Sequence, residues 1–277
     1  MIFWLINLCK ISMSDPDSIK NMISTNPPLL SLPYTVKYLV KWASLYGDLN
    51  TVKYLVENKA DILAEDNEAV RNASKNGHLE VVKYLVKHEA DILARKNASI
   101  RLASYNGHSE VVKYLVENKA DVHAEDNYCV KSASVHNHLK IVKYLVENKA
   151  DIHDENNICV RSVSFNGHID TVKYLVENKA DILANDNESV RHASENGHLD
   201  VVKYLVENKA DISAITDEHK KIICGLKIFN FWRNQRTRKH LIRTRNILTP
   251  IYYSPAMKGG YFAKKDLETT IKQLISL

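Results

Sequence analysis

The sequence predicts an all-α solenoid of about six helix-turn-helix repeats, with a capping segment at each end. The string VKYLV recurs six times between residues 52 and 206, at a constant step of 30 residues. A period of this length is typical of stacked repeat arrays. Within each unit, apolar residues also recur at the i, i+3, i+4 spacing that marks one face of a helix. Helices this short are marginal alone, so each unit needs neighbours to cover its apolar faces.

The first half of the unit 68–97 encodes a short helix and the turn that ends it. Val70, Ala73 and Ser74 lie on one helical face. Gly77 follows in an Asn-Gly pair, and glycine readily adopts the left-handed conformation that ends many helices. We therefore predict one buried face and a tight turn in this half of every repeat.

The second half of the unit encodes a second helix and the link to the next unit. His78 stands where this helix should begin, and its side chain is expected to bond backbone near the helix start. Val82, Leu85 and Val86 are predicted to form its buried stripe. Residues 91–97 are short and mostly polar, which predicts a turn that leads into the next repeat.

The repeated pattern resembles the ankyrin repeat over the stretch from Tyr38 to Asp217. The strings that carry the resemblance include RNASKNGHLEVVKYLV and RLASYNGHSEVVKYLV, which match the family's first helix, N-G-H turn and V-V-x-x-L-L second helix. The resemblance implies an ankyrin-type solenoid. Its predicted repeats are 38–67, 68–97, 98–127, 128–157, 158–187 and 188–217, between a segment 1–37 and a segment 218–277.

This chain departs from the family pattern in three ways. Its repeat has 30 residues, where the family norm is about 33. The T-P-L-H start is replaced by strings such as EAVR, and lysine or glutamate replaces the glycine before Ala-Asp. Because a non-glycine residue in the left-handed region costs roughly 1 kcal/mol, we expect Asn58 and its equivalents to adopt that conformation instead of Lys59.

The 30-residue variant, rich in VKYLVE and NGH, is similar to the ankyrin proteins encoded by giant DNA viruses of amoebae, of the mimivirus-like type. This resemblance implies a viral protein that acts inside a host cell. Cys129 and Cys159 occupy the same small-residue position in adjacent repeats, and the four cysteines show no metal or redox spacing. This cysteine usage fits a reducing intracellular setting, in cytoplasm or nucleus.

The N-terminal run MIFWLINLC is apolar but far too short to span a bilayer, which needs about 20 residues. Three interpretations are open: part of an N-terminal cap, a weak membrane-surface anchor, or translated sequence ahead of a true start at Met13. The repeats themselves contain no candidate transmembrane segment. VKYLV also occurs at Val36–Val40, which suggests the relic of a recombined or lost repeat.

The C-terminal segment is strongly basic. From Glu218 onward it holds 13 Lys or Arg against 3 Asp or Glu, a net charge of +10 in a chain whose total is +5. The predicted basic patch comprises Arg233, Arg236, Arg238, Lys239, Arg243 and Arg245. Such a run can bind nucleic acid, serve as a nuclear-import signal or contact anionic lipid.

Two ladders of side chains recur at fixed repeat positions. One holds His78, His108, His138, His168 and His198, and the other holds Tyr54, Tyr84, Tyr114, Tyr144, Tyr174 and Tyr204. A metal site needs ligands that converge on one point, whereas equivalent positions of stacked repeats lie a repeat apart. We therefore favour turn and packing roles. The chain shows no nucleophile–base pair or phosphate-binding glycine loop, so we expect no enzyme, no catalytic residue, no metal site and no cofactor.

The most informative positions are three in the first helix that vary while their neighbours repeat. In ankyrin proteins this helix lines the concave face, which is the usual partner surface. The predicted partner-binding residues are Trp42, Asn72, Lys75, Leu102, Tyr105, Tyr128, Val135, Ile158, Phe165, His192 and Glu195. Many are apolar or aromatic, which favours a contact surface over neutral drift at solvent positions.

Three functions compete on this evidence. The leading one is a non-enzymatic protein-interaction scaffold, with a viral origin and host targets implied by the resemblance. The second is a nucleic-acid-associated or nuclear-targeted protein that uses the basic tail. The third, implied by the family alone, is a ubiquitin-ligase substrate adaptor, although the tail shows no clear match to a recruiting segment.

Overall fold

The computed structural model describes residues 33–220 and residue 222, and every regular element in that part of the chain is helical. Nearly all of it belongs to one compact unit, Met1–His219; the second unit, Lys220–Leu277, lies almost wholly outside the described residues. The first helices of the repeats are α1 Pro33–Tyr46, α3 Ala64–Lys75, α5 Ala94–Asn106, α7 Ala124–Val135, α9 Asp154–Phe165 and α11 Ala184–Glu195. The second helices are α2 Leu49–Glu57, α4 Leu79–Lys87, α6 Ser109–Glu117, α8 Leu139–Glu147, α10 Ile169–Glu177 and α12 Leu199–Glu207.

The predicted all-α helix-turn-helix architecture is confirmed. Each second helix packs against the first helix of its own repeat, and each first helix packs against the first helices of its neighbours. A 3₁₀ turn, Ile212–Ala214, follows the last pair. The helix α1 begins at Pro33, ahead of the predicted repeat start at residue 38, so the extra VKYLV copy forms the first turns of a regular helix. Among the described residues no helix has the length and apolar character that crossing a membrane requires.

The buried stripe of the second helix lies one residue earlier than the sequence predicts. In α4, Val81, Val82 and Leu85 are fully buried, whereas Val86 is only half-buried. The equivalent triplets recur in α6, α8, α10 and α12. The helix therefore turns the side that contains the residue before the VKYLV string toward the first helices, and the last valine of that string lies at the edge of the core.

From α3 onward, each first helix contains a run of left-handed residues near its start, which the sequence did not predict. Glu65, Asp66 and Asn67 all have φ between 52° and 62°, a conformation that costs non-glycine residues free energy. Arg71, one turn into the helix, donates from its guanidinium to the carbonyl oxygens of Asp66 at 3.1 Å and Glu65 at 2.9 Å. Arg101 contacts the equivalent carbonyls of the next repeat. The arginine that replaces the family's histidine thus stabilises this turn.

The expectation for Asn58 is wrong, because Lys59 adopts the left-handed conformation with φ 63°. The amide of Ala60 donates to the carbonyl of Leu55, and that of Lys59 donates to Val56, a pairing that requires a left-handed residue at position 59. Asn58 keeps φ −92° and its side chain caps the carbonyl of Tyr54 at 2.8 Å. The same left-handed position is held by Glu89, Lys119, Lys149, Lys179 and Lys209.

A ladder of asparagine side chains joins neighbouring repeats. The Oδ1 atom of Asn67 accepts a hydrogen bond from the backbone amide of Asp91, in the loop of the next repeat, at 2.8 Å. The bond recurs in the pairs Asn97–Asp121, Asn127–Asp151, Asn157–Asp181 and Asn187–Asp211, at 2.7–3.0 Å. The asparagine that ends each predicted repeat is therefore a connection between units.

Candidate functional site

One line of variable side chains lies exposed at the last turn of successive first helices. We name Lys75, Tyr105, Val135, Phe165 and Glu195 the exposed row; all five side chains are exposed. Tyr105 is 43% exposed and Phe165 is 48% exposed, which is unusual for rings of this size. Three apolar residues thus lie side by side between a cation and an anion.

The backbone under the exposed row is fixed by the histidine ladder. The Nε2 atom of His138 lies 3.0 Å from the carbonyl oxygen of Tyr105 in the preceding repeat. The same contact, at 2.9 Å, joins His78 to Leu45, His108 to Lys75 and His198 to Phe165. Because a carbonyl only accepts, Nε2 carries the proton. The expected bond near the helix start is wrong: none of these histidines caps its own helix with its side chain.

His168 occupies the same ladder position beneath Val135. Burial lowers the pKa of its imidazole, while its hydrogen bond to the backbone of Val135 opposes that shift. In the preceding turn Asn137 replaces the usual glycine, and its Oδ1 accepts from Thr171 Oγ1 at 2.8 Å. The ladder is therefore continuous across the middle of the row even where the N-G-H turn is altered.

Aromatic rings in and beside the exposed row lie against side chains of neighbouring repeats. The centroid of Tyr105 lies 4.2 Å from that of His136, and Phe165 meets His192 edge-on at 5.6 Å. The guanidinium of Arg101 lies over the ring of Tyr128, 5.5 Å from its centroid. These contacts restrict the rings without covering them, so little rotamer freedom would be lost on binding.

The other predicted partner-binding residues are less accessible. Trp42 is a correction: it is only 5% exposed, because α1 packs against α3 and its indole faces Tyr46 at 4.7 Å. Tyr128 is exposed at the start of α7. Half-buried positions between adjacent first helices are held by Asn72, Leu102, Ile158 and His192.

Charged groups cluster at the repeat-six end of the row. Glu188 contacts Arg161 of the preceding repeat, and His192 lies 3.2 Å away on its other side. Hydrogen bonds from Asn185, and then from Arg161, lower the pKa of Glu188, so this carboxylate is negative at neutral pH. Glu195 lies 3.5 Å from Arg191 and is exposed.

Comparison with known proteins agrees with this architecture. The family profile described as "Ankyrin repeats (3 copies)" matches residues 39–126, 95–156 and 130–216, which together make up more than half of the chain. The chain belongs to the ankyrin-repeat family. A solved structure described as "Crystal structure of human ASB11 ankyrin repeat domain" is similar, with a TM-score of 0.56 and 19% identity over 62% of this chain and 84% of that chain. At that identity the likeness concerns the fold alone. No curated protein matches the chain.

Ankyrin repeats generally mediate protein–protein interaction, and their fold is typically a non-enzymatic scaffold. In this array the tyrosine ladder of the second helices has a packing role. Tyr174 is half-buried, its hydroxyl reaches the carbonyl of Lys143 at 3.5 Å, and the ammonium of Lys143 lies 5.5 Å from its ring centroid. Burial raises the pKa of the Tyr174 hydroxyl. Tyr144 makes the same contact with Lys113.

The cysteines of the ankyrin array are packing residues. Cys129 and Cys159 are buried cysteines that form no disulfide bond. Burial raises the pKa of the Cys129 thiol to about 12, so it is neither a ready nucleophile nor a ready metal ligand. In the part of the chain that the structure describes, no group of three or more His, Cys, Asp or Glu could hold a metal ion. The predicted basic patch, Arg233, Arg236, Arg238, Lys239, Arg243 and Arg245, lies outside the described residues.

Sequence reasoning missed two exposed or ring-stacking residues. Tyr46 is 50% exposed and stacks on Trp42, and His136 supports Tyr105. Both occupy the position that is asparagine in the other N-G turns, where Asn76 and its equivalents cap the first helix. The departure from N-G at these two turns was the signal available in the sequence.

Proposed function

We propose that this ankyrin-repeat chain binds a protein partner through the exposed row together with Tyr128. The observation that carries the proposal is the exposure of Tyr105, Val135 and Phe165 at one position of three successive repeats. Clustered apolar side chains on a soluble surface often mark contact sites. Aromatic residues held on a rigid scaffold are effective binding anchors.

The backbone and the side chain of each residue in the row have different roles, which supports the same proposal. The fold uses the backbone carbonyl of Tyr105 through His138, and that of Phe165 through His198. The side chains of these residues are exposed and are not part of the buried core. The row can therefore change its chemistry from repeat to repeat while the array keeps its geometry, which suits a recognition surface.

The test is capture of partners from a cell extract by the tagged full chain, quantified by mass spectrometry. The double variant Tyr105→Ala, Phe165→Ala should lose its main partner. The matched control is Tyr114→Ala, Tyr174→Ala, which removes two rings from the second helices of the same repeats and should keep the partner. Equal capture by the wild type and the first variant would refute the proposed surface.

We propose further that the chain acts inside cells, as a viral protein on host targets. The support is the similarity of its 30-residue repeats to those of amoebal giant-virus proteins and the presence of buried thiols that form no disulfide bond. An amoebal extract is therefore the first choice for the capture experiment. Recovery of a row-dependent partner from an unrelated extract but not from the amoebal one would count against this assignment.

A second candidate function rests on the basic tail, with 13 Lys or Arg against 3 Asp or Glu from residue 218 onward. Deletion of residues 231–245 should abolish retention on DNA or RNA, and retention should fall linearly with salt on a log–log plot. Binding that survives the deletion would exclude the tail as the site. The ubiquitin-ligase adaptor alternative rests on the family resemblance alone.

A further inference from the structure

We propose that the exposed row receives one amphipathic helix of the partner protein, with an apolar residue at every seventh position. An acidic residue of that helix would face Lys75, and a basic residue would face Glu195. This inference rests on the proposed function, because it names the kind of partner segment that the same surface binds. Three independent features of the row support it: spacing, backbone chemistry and charge.

The spacing of the row matches the heptad period of a helix. First helices of neighbouring repeats pack directly on one another, which sets their axes roughly 8–10 Å apart. Seven residues of a helix rise about 10 Å, so positions i, i+7 and i+14 would meet Tyr105, Val135 and Phe165 in turn. An extended segment repeats one face about every 7 Å, and would fall out of step with the row at Val135.

The backbone of the row favours a side-chain-mediated mode of binding. The carbonyls of Tyr105 and Phe165 already accept from the histidine ladder. Within the described residues the regular elements are helices, so they offer no strand edge for an extended peptide to join. A helix satisfies its own backbone and presents only side chains, which is what this surface can receive.

Charge complementarity defines the two ends of the bound helix. The row begins with the exposed cation Lys75 and ends with the exposed anion Glu195. Glu195 is paired with Arg191 at 3.5 Å, but both side chains are about half exposed, and such pairs are weak enough to be exchanged. A partner helix with acid at one end and base at the other fits only one direction along the array.

The shape of the row also predicts which partner residue is largest. Val135 is the smallest of the three apolar residues and lies between two rings. A helix that follows the row therefore needs its bulkiest apolar side chain at the central heptad position, opposite Val135. Val135→Phe would fill that space, and should shift the preference at the central position toward alanine or another small residue.

The test is selection of a displayed library of random peptides, about five heptads long, on the immobilised full chain. The enriched sequences should carry apolar residues seven apart, an acidic residue one heptad before them and a basic residue one heptad after. Lys75→Glu should weaken the selected peptides about tenfold or more and enrich peptides with a base at the first position. The control Lys53→Glu, on the exposed face of α2, should change neither result.

A proline substitution distinguishes helical from extended binding. Proline at the middle of a selected peptide, at a position that faces away from the row, should abolish binding because it breaks a helix. Alanine at the same position should be tolerated. Peptides that tolerate the proline, or that show no seven-residue period, would overturn the helix proposal, and so would a selection that enriches nothing.

The double variant Tyr105→Ala, Phe165→Ala separates failure of this inference from failure of the proposed function. Selected peptides that lose binding to the variant but are extended would overturn the helix and leave the exposed row as a partner surface. Selected peptides that bind the variant as well as the wild type would overturn both, because the site would then lie elsewhere.

Discussion

The first and second helices of each repeat are similar in length but differ in how closely their sequences recur from repeat to repeat. Second helices are near copies of one another, and the first valine and the leucine of each VKYLV string are buried in every repeat. First helices are alike at their buried positions, such as Ala103 and Ala133, and differ at the exposed row. The difference indicates that residues repeated at the same position of every unit hold the array together. The features that distinguish one repeat from the next lie in a few exposed side chains that this packing does not require.

The repeated histidines and asparagines bond to backbone atoms and not to the side chains of the exposed row. The histidine ladder uses carbonyls, and the asparagine ladder uses loop amides such as that of Asp121. Under the proposed function, stability and recognition would rest on different atoms of the same residues. Substitutions of the repeated residues and of the exposed row should separate these two properties. The loss of stability should decrease in the order given below.

The largest loss of stability is expected in the buried stripe of the second helix. Leu145 of α8 is fully buried in the middle of the array. Leu145→Ala should lower the free energy of unfolding by about 2–5 kcal/mol through the cavity it leaves. Urea unfolding followed by circular dichroism measures this loss. A change below about 1 kcal/mol would contradict the buried role of the stripe.

A smaller loss is expected where a glycine lets the histidine ladder approach. A Cβ atom at Gly77 would lie 2.5 Å from His108 Nδ1, whereas at Gly197, with nearly the same φ, no described atom lies within 4 Å. Both Gly→Ala changes place alanine in the left-handed region, which costs about 1–2 kcal/mol. Gly77→Ala should cost about 1 kcal/mol more because of the clash, the low end for overpacking, since the half-buried ring of His108 can shift in part. Equal losses of stability, measured by urea unfolding, would show that the histidine ring moves freely.

The asparagine ladder should contribute less at each step. Asn97→Gly keeps the left-handed conformation and removes the acceptor for the Asp121 amide, so it should cost about 1 kcal/mol. Asn97→Asp keeps an oxygen at the same place and is the matched control. Thermal unfolding compares the two variants, and an equal loss in both would mean that the inter-repeat bond is not the source of the effect.

The sequence predicted the architecture well because the period of 30 residues and the helical spacing of apolar residues are local signals. It missed contacts that join residues in different repeats, such as Asn67 with Asp91 and His138 with Tyr105, since a repeated letter does not say which partner it meets. It also placed the left-handed residue at Asn58 instead of Lys59. That choice is set by the pattern of backbone bonds at the helix end, which overrides the local preference of lysine.

The same limit explains why the predicted site residues differ in exposure. Sequence variation alone identified the three variable positions of the first helix. It did not show how deeply each position is buried. The last-turn position is exposed from Lys75 onward, while the position one turn earlier is half-buried or, at Trp42 and Ser132, buried. Packing between neighbouring first helices decides this, and it depends on which side each helix turns toward its neighbour.

The central claim is that the side chains of the exposed row serve recognition and not folding. Its most direct test measures both the free energy of unfolding and binding to a captured partner for two double variants. Tyr105→Ala, Phe165→Ala should lose about 1 kcal/mol or less of stability and weaken binding about tenfold or more. Tyr114→Ala, Tyr174→Ala should lose about 2 kcal/mol or more and bind normally once folded. The reverse pattern, with the row variant unfolded or binding unchanged, would contradict the account.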